Sequence, residues 1–175
     1  MGARISELLD HIARGDGETG GVLPSTAVFL AAADRAEHVD KLIRPALDDG
    51  KIVVSSGYVD TTLAFFSHAS EVDTEEIVRL SDWGNEGLYP DLTLILDVDV
   101  AEDEPLGQVR QSLLDRREAM VRGYRVVPAS PHDEGLMPDV WAPVCAALTA
   151  RRELVANGGT ERDSATATPL IPPSQ

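Results

Sequence analysis

The sequence predicts an α/β fold, a three-layer arrangement in which helices flank a parallel sheet. Three observations lead there. Apolar, β-branched runs recur at "KIVVSS", "LTLILDV" and "YRVVPAS", the pattern of strands covered on both faces. The segments between them carry helical periodicity. The chain has 175 residues, enough for one domain with a core of its own.

Taken in order, residues 4 to 13 place Ile5, Leu8, Leu9 and Ile12 on one face of a short helix. "RGDGETGGVLPS" is a Gly-rich loop in which Ser25 or Thr26 is placed to cap the next helix. That helix runs through "TAVFLAAADRAEHVDKLIRPALDDG", with Pro45 as a kink or break and Gly50 as its end. "KIVVSS" follows as the first strand. "TTLAFFSHA" and "DTEEIVRLSDWGNEGL" are helices, the second capped by Asp73 or Thr74. "PDLTLILDVDV" is the clearest buried strand. "PLGQVRQSLLDRREAMVRG" is a helix, "YRVVPAS" a strand and "PDVWAPVCAALTARRELVA" a closing helix. The expected domain is 1–156, and the polar, Pro/Gly-rich stretch 157–175 is expected to be a disordered tail.

Composition narrows the function. Fifteen Lys and Arg against thirty Asp and Glu give a net charge of −15, which repels nucleic-acid phosphates and anionic membranes. No nucleic-acid or membrane partner is expected. Cys145 is the single cysteine, so there is no disulfide framework, and a cytoplasmic location is the expectation. The N-terminus lacks the apolar core of a signal peptide.

Ligands of parallel sheets sit beyond the carboxyl ends of the strands, so the loops after Val54, Val98 and Val127 are the places to search. A phosphate loop, G-x-x-x-x-G-K-[ST], occurs nowhere in the chain. Only two lysines exist, Lys41 and Lys51, and neither follows a strand. Asp97 and Asp99 share a strand face and could hold Mg²⁺ through water, although a solvated acidic loop explains them as well. The four histidines, His11, His38, His68 and His132, show no metal-ligand spacing. Trp83 and Trp141 are expected in the core. Arg35 stands beside Asp34 in an alanine-rich helix, where small residues let something approach closely.

"FLAAADRAEHVDKLIRPALDDGKIVV", "GYVDTTLAFF" and "DWGNEGLYPDLTLILDVD" together resemble the middle of a thymidylate kinase, in order and near that family's spacing. The resemblance covers roughly residues 2 to 148. It implies a nucleoside-monophosphate kinase fold and transfer of the ATP γ-phosphoryl to dTMP with Mg²⁺. By this resemblance Arg35 matches the arginine on the acceptor phosphate, Thr61 and Thr62 fall against the thymine edge, and Phe65 lies near the deoxyribose. Where the family has Asp-Arg-Tyr, this chain has Ser56-Gly57-Tyr58, so the Mg²⁺-organising acid and a phosphate-binding arginine are replaced. Ala31 aligns with the phenylalanine that stacks on thymine. "DRRE" at 115 to 118 looks like the lid motif, but the long helical stretch that follows it in the family is missing.

From these departures the chain is expected to be a truncated, degenerate relative that lacks the family's first strand and phosphate loop. It is expected not to be catalytic alone and to need no cofactor. It is expected either to retain weak dTMP binding or to act as an interaction domain. The alternative is a dTMP kinase, with ATP and Mg²⁺, whose phosphate loop comes from a preceding segment or partner chain. The family's strand order is 2-3-1-4-5, so a missing strand 1 also implies a homodimer or partner chain that completes the sheet.

Overall fold

Proline sets the first boundary. In this computed structural model the described residues are 23–69, 73–101, 105–119, 123–130 and 135–157. Helix α1 (Pro24–His38) starts with Pro24 at its first position, where the missing N–H has no intrahelical partner to lose. Leu23 therefore occupies the N-cap position and no side chain caps the helix; Ser25 and Thr26 lie inside it. The expected helix over 4 to 13, most of the Gly-rich loop and the tail beyond residue 157 lie outside the described residues.

The chain divides into two compact units, Met1–Leu88 and Tyr89–Gln175. In the first, α1 runs into a π-helical turn, Val39–Ile43, and then α2 (Arg44–Asp48). Pro45 is the cause. It cannot donate to the preceding turn and its ring crowds the carbonyl there. The Arg44 N–H reaches five residues back to Val39 O, which widens the turn without breaking the helix. Gly50, at φ 72°, ends the run as expected.

Helices α3 (Val59–Ala69) and α4 (Thr74–Asn85) complete this unit. Asp73 caps α4, its side chain accepting from the Glu75 N–H at 2.9 Å. The core joins Ala27, Val28 and Ala32 of α1, Val59, Leu63 and Ala64 of α3, and Ile77 and Val78 of α4. Ala32 marks a close crossing, because a Cβ on Gly84 would lie 3.0 Å from the Ala32 carbonyl oxygen. Trp83 lies on the opposite side of α4 from the buried Ile77, Ser81 and Asn85 and is 82% exposed, not in the core.

The expected strand "KIVVSS" does not form among the described residues. Residues 51 to 55 carry no ladder, and Ile52 and Val54 are exposed. A strand needs a neighbour for its N–H and C=O groups, and the other described elements of this unit are helices.

Glu86 closes α4 in the left-handed region, at φ 51°, while its carboxylate meets Arg44 at 3.1 Å. Relief of the backbone strain is worth about 1 kcal/mol, more than an exposed ion pair of this kind usually supplies. Glu86→Gly is thus expected to raise stability by roughly 0.5 kcal/mol. An unchanged or lower urea midpoint would contradict the account.

In the second unit β1 (Thr93–Val98) pairs in parallel with β2 (Tyr124–Ala129), with Ile95 opposite Val126 and Leu96 opposite Val127. Helices α5 (Pro105–Ala119) and α6 (Leu136–Ala156) accompany them. Burial is thinner than the apolar runs suggest: Ile95 and Val127 are buried, but Leu96 is 51% exposed. A parallel pair covered incompletely leaves alternate residues in the open. Trp141, on α6, is also exposed, and lies one residue round the helix from the half-buried stripe Val140, Val144 and Ala147. No helix among the described residues is long and apolar enough to cross a membrane.

Candidate functional site

The alanine-rich face of α1 carries one large polar side chain inward. Arg35 is 8% exposed, and three uncharged oxygens on three elements hold its guanidinium. Nη1 donates to Ser81 Oγ of α4 at 3.4 Å. Nη2 donates to the Tyr58 carbonyl at 3.3 Å and to Thr62 Oγ1 of α3. The Tyr58 ring centroid lies 5.4 Å from the Arg35 Cζ, within cation–π range. Burial pulls the Arg35 pKa below its ordinary value, while Tyr58, Asp34 and Asp60 act in the opposite direction. Desolvating a cation is costly unless hydrogen bonds compensate it, and this cradle supplies them.

The local sequence explains how the cradle forms. Gly57, at φ 83°, turns the chain so that Tyr58 points its carbonyl toward α1, and Ser55 Oγ donates to Gly57 O at 2.8 Å. Val59 then starts α3, whose first turn holds the buried Asp60. Thr62 N–H closes onto Tyr58 O at 3.4 Å. Tyr58 itself is anchored at its far end, its hydroxyl donating to Leu88 O at 3.0 Å.

Of the residues named from sequence, Arg35 and Thr62 meet directly. Thr61 is half-buried and its Oγ1 flanks Gly57. Phe65 lies one turn further along α3 and is 40% exposed. Sequence reasoning missed Ser81 and the part played by Tyr58. Ser81 did leave a signal: it occupies the helical period of Ile77 and Val78, a core position holding a polar residue.

The acidic alternative resolves differently. Asp97 accepts from Arg110, Nη2 to Oδ2 at 3.0 Å with Nε on the other oxygen, so both carboxylate oxygens are committed. Asp99 lies past the end of β1. Among the described residues no group of three His, Cys, Asp or Glu converges as a metal site. A groove of about 380 Å³ between α1 and α4, lined by Val28, Phe29, Ile77 and Leu80 among others, includes none of Arg35, Thr61, Thr62 or Phe65.

Comparison with known proteins decides the family. A family model described as thymidylate kinase matches residues 1–122. The thymidylate kinase of Bifidobacterium longum (strain NCC 2705) is 35% identical over 160 residues, 82% of this chain and 75% of that protein. The chain belongs to the thymidylate kinase family. Another family member, from Leifsonia xyli subsp. xyli, is 40% identical over 120 residues, 68% of this chain and 54% of its own length. The crystal structure of thymidylate kinase from Ehrlichia chaffeensis superposes with a TM-score of 0.63 at 26% identity, covering 79% of this chain and 74% of that one. The thymidylate kinase fold accounts for the helix-rich α/β architecture and its parallel sheet.

Proposed function

We propose that this chain is the acceptor-nucleotide side of a thymidylate kinase, binding dTMP weakly and transferring no phosphoryl group by itself. The observation that carries the reading is the Arg35 cradle: a buried cation on α1, held by uncharged oxygens, beside a turn, Ser55 to Tyr58, with no charged side chain. A carboxylate or phosphate offers such a cation more than neutral oxygens do, since charge-assisted bonds are about twice as strong. Thr61, Thr62 and Phe65 would face the nucleoside.

Phosphoryl transfer is almost entirely positioning and charge stabilisation. Two observations support the non-catalytic reading: Asp97 is paired with Arg110, and this sequence carries no G-x-x-x-x-G-K-[ST] run. A second reading, dTMP kinase with ATP and Mg²⁺ on a phosphate loop from a preceding segment or partner chain, is favoured by the thymidylate kinases among its relatives. The exposure of Ile52 and Val54 supports a partner strand pairing with residues 51 to 55, supplied by a second copy or another chain.

The test is calorimetry with dTMP. Arg35→Ala, checked for folding by circular dichroism, is expected to weaken binding roughly 10- to 150-fold, the range for a hydrogen bond to a charged group. Equal affinity in variant and wild type would remove Arg35 from the site.

A further inference from the structure

Helix α6 shows more apolar surface than its own unit covers. Met137, Trp141, Cys145 and Leu148 follow one another at helical spacing and form a single stripe. All four are exposed, Met137 by 67% and Trp141 by 58%. The stripe runs beside the half-buried Val140, Val144 and Ala147, so it widens a face that already turns inward. Single exposed apolar residues need no account, but a contiguous run of them marks a surface that something covers.

The chain that follows α6 carries a matching segment. Asn157 closes the helix, its N–H donating to Glu153 O at 3.0 Å, and the next two residues are Gly158 and Gly159, which let a backbone reverse direction. A polar stretch leads from there to "PLIPP" at 169 to 173. Pro-rich segments dock on exposed aromatic side chains because they have little conformational freedom to lose. The lengths agree. The stripe from Leu148 to Met137 is about 16 Å long, and five residues of polyproline II span about 15 Å. Leu148 lies about 14 Å back along the helix from Asn157, while residues 158 to 168 span about 18 Å as a flexible linker. Charge agrees as well: Arg152, exposed one turn beyond Leu148, flanks the path of a linker that carries Glu161 and Asp163. We propose that residues 169 to 173 cover the α6 stripe, laid back along it so that Leu170 and Ile171 pack between Leu148 and Trp141 and shield Cys145. The contact involves no residue of the Arg35 cradle.

Cys145 is the single cysteine and reports on the stripe directly. The experiment follows its reaction with N-ethylmaleimide in the full chain, at several protein concentrations. Wild type should react roughly 3- to 10-fold more slowly than Leu170→Asp/Ile171→Asp, the scale expected when burial of two aliphatic side chains is set against the ordering of a short segment. Ala165→Asp/Ala167→Asp adds the same charge off the apolar cluster and should react like wild type. In a Trp83→Phe background Trp141 is the sole tryptophan, and its quenching by acrylamide should rise with Leu170→Asp/Ile171→Asp. Equal thiol rates in wild type and Leu170→Asp/Ile171→Asp overturn the proposal. So does protection that grows with protein concentration and survives in that variant, which assigns the stripe to a second copy instead.

Discussion

Gly84→Val is expected to lower the stability of the protein by about 2 kcal/mol. The side chain would enter the crossing of α1 on α4, where even a Cβ stands 3.0 Å from the Ala32 carbonyl oxygen. That neighbour is backbone and cannot swing aside, so the helices must separate. Overpacking of this kind costs ~1–3 kcal/mol, against a helix-propensity gain of only a few tenths for valine over glycine. Gly84→Ala sharpens the test, since there a propensity gain of about 1 kcal/mol meets the tight contact alone, and a small net change is expected. The valine variant should also loosen the site. Ser81 lies one turn before Gly84 on α4, and its 3.4 Å contact to Arg35 lengthens as the helices part. Urea unfolding measures the first effect and dTMP calorimetry the second. A valine variant as stable as wild type would show that the crossing is looser than described.

Restoring the family's arginine is the second large effect, and the expected direction is downward. Gly57→Arg should cost about 1–2 kcal/mol of stability and should not tighten dTMP binding. Resemblance alone suggests the opposite, because it treats the substitution as a cation regained. The backbone explains the reversal: Gly57 sits at φ 83°, and a Cβ there would meet Thr61 Oγ1 at 3.0 Å. Any side chain other than glycine is strained in that region. The turn as it stands is shaped for glycine, so an arginine grafted onto it starts from a strained backbone. Thr61→Ala in the same chain should recover the contact part of the loss and leave the dihedral part. A Gly57→Arg protein of unchanged stability that binds dTMP tenfold more tightly would sink the argument.

Much of the architecture is legible in the sequence because periodicity reports which side of a segment can be buried. The helices from Pro24, Val59, Thr74, Pro105 and Leu136 and the strands at Thr93 and Tyr124 all follow from it. What periodicity does not report is whether a partner is present. "KIVVSS" has the pattern of a strand and no ladder among the described residues. The tryptophans differ from expectation for a related reason: a large aromatic on an apolar helix face reads as core, while the helical phase of Trp83 places it opposite Ile77. Within the site, Arg35 and Thr62 come together from distant stretches, and only the family resemblance joined them in advance. Ser81 was readable as a polar residue on a buried stripe, and Asn85, fully buried two positions before Gly87, carries the same mark. The commitment of Asp97 to Arg110 depends on how β1 meets α5, which no local pattern encodes.

The π-helical turn has a consequence for charge placement. Each α-helical residue advances about 100°, so the nine steps from Arg35 to Arg44 would put the two guanidinium groups on opposite sides of a regular helix. The turn at Val39–Ile43 absorbs about one residue's rotation and returns Arg44 toward the side on which Arg35 lies. Both cations then act on the Tyr58 phenol, and Arg44 reaches the carbonyl of Glu86 at 3.3 Å. A one-residue deletion within that turn would leave eight regular steps, about 80° of net rotation, and so should straighten the backbone while keeping Arg44 on the same side. The wide turn therefore works as a spacer measured in degrees: it houses one residue more than a regular helix would without moving the cation that follows it out of phase.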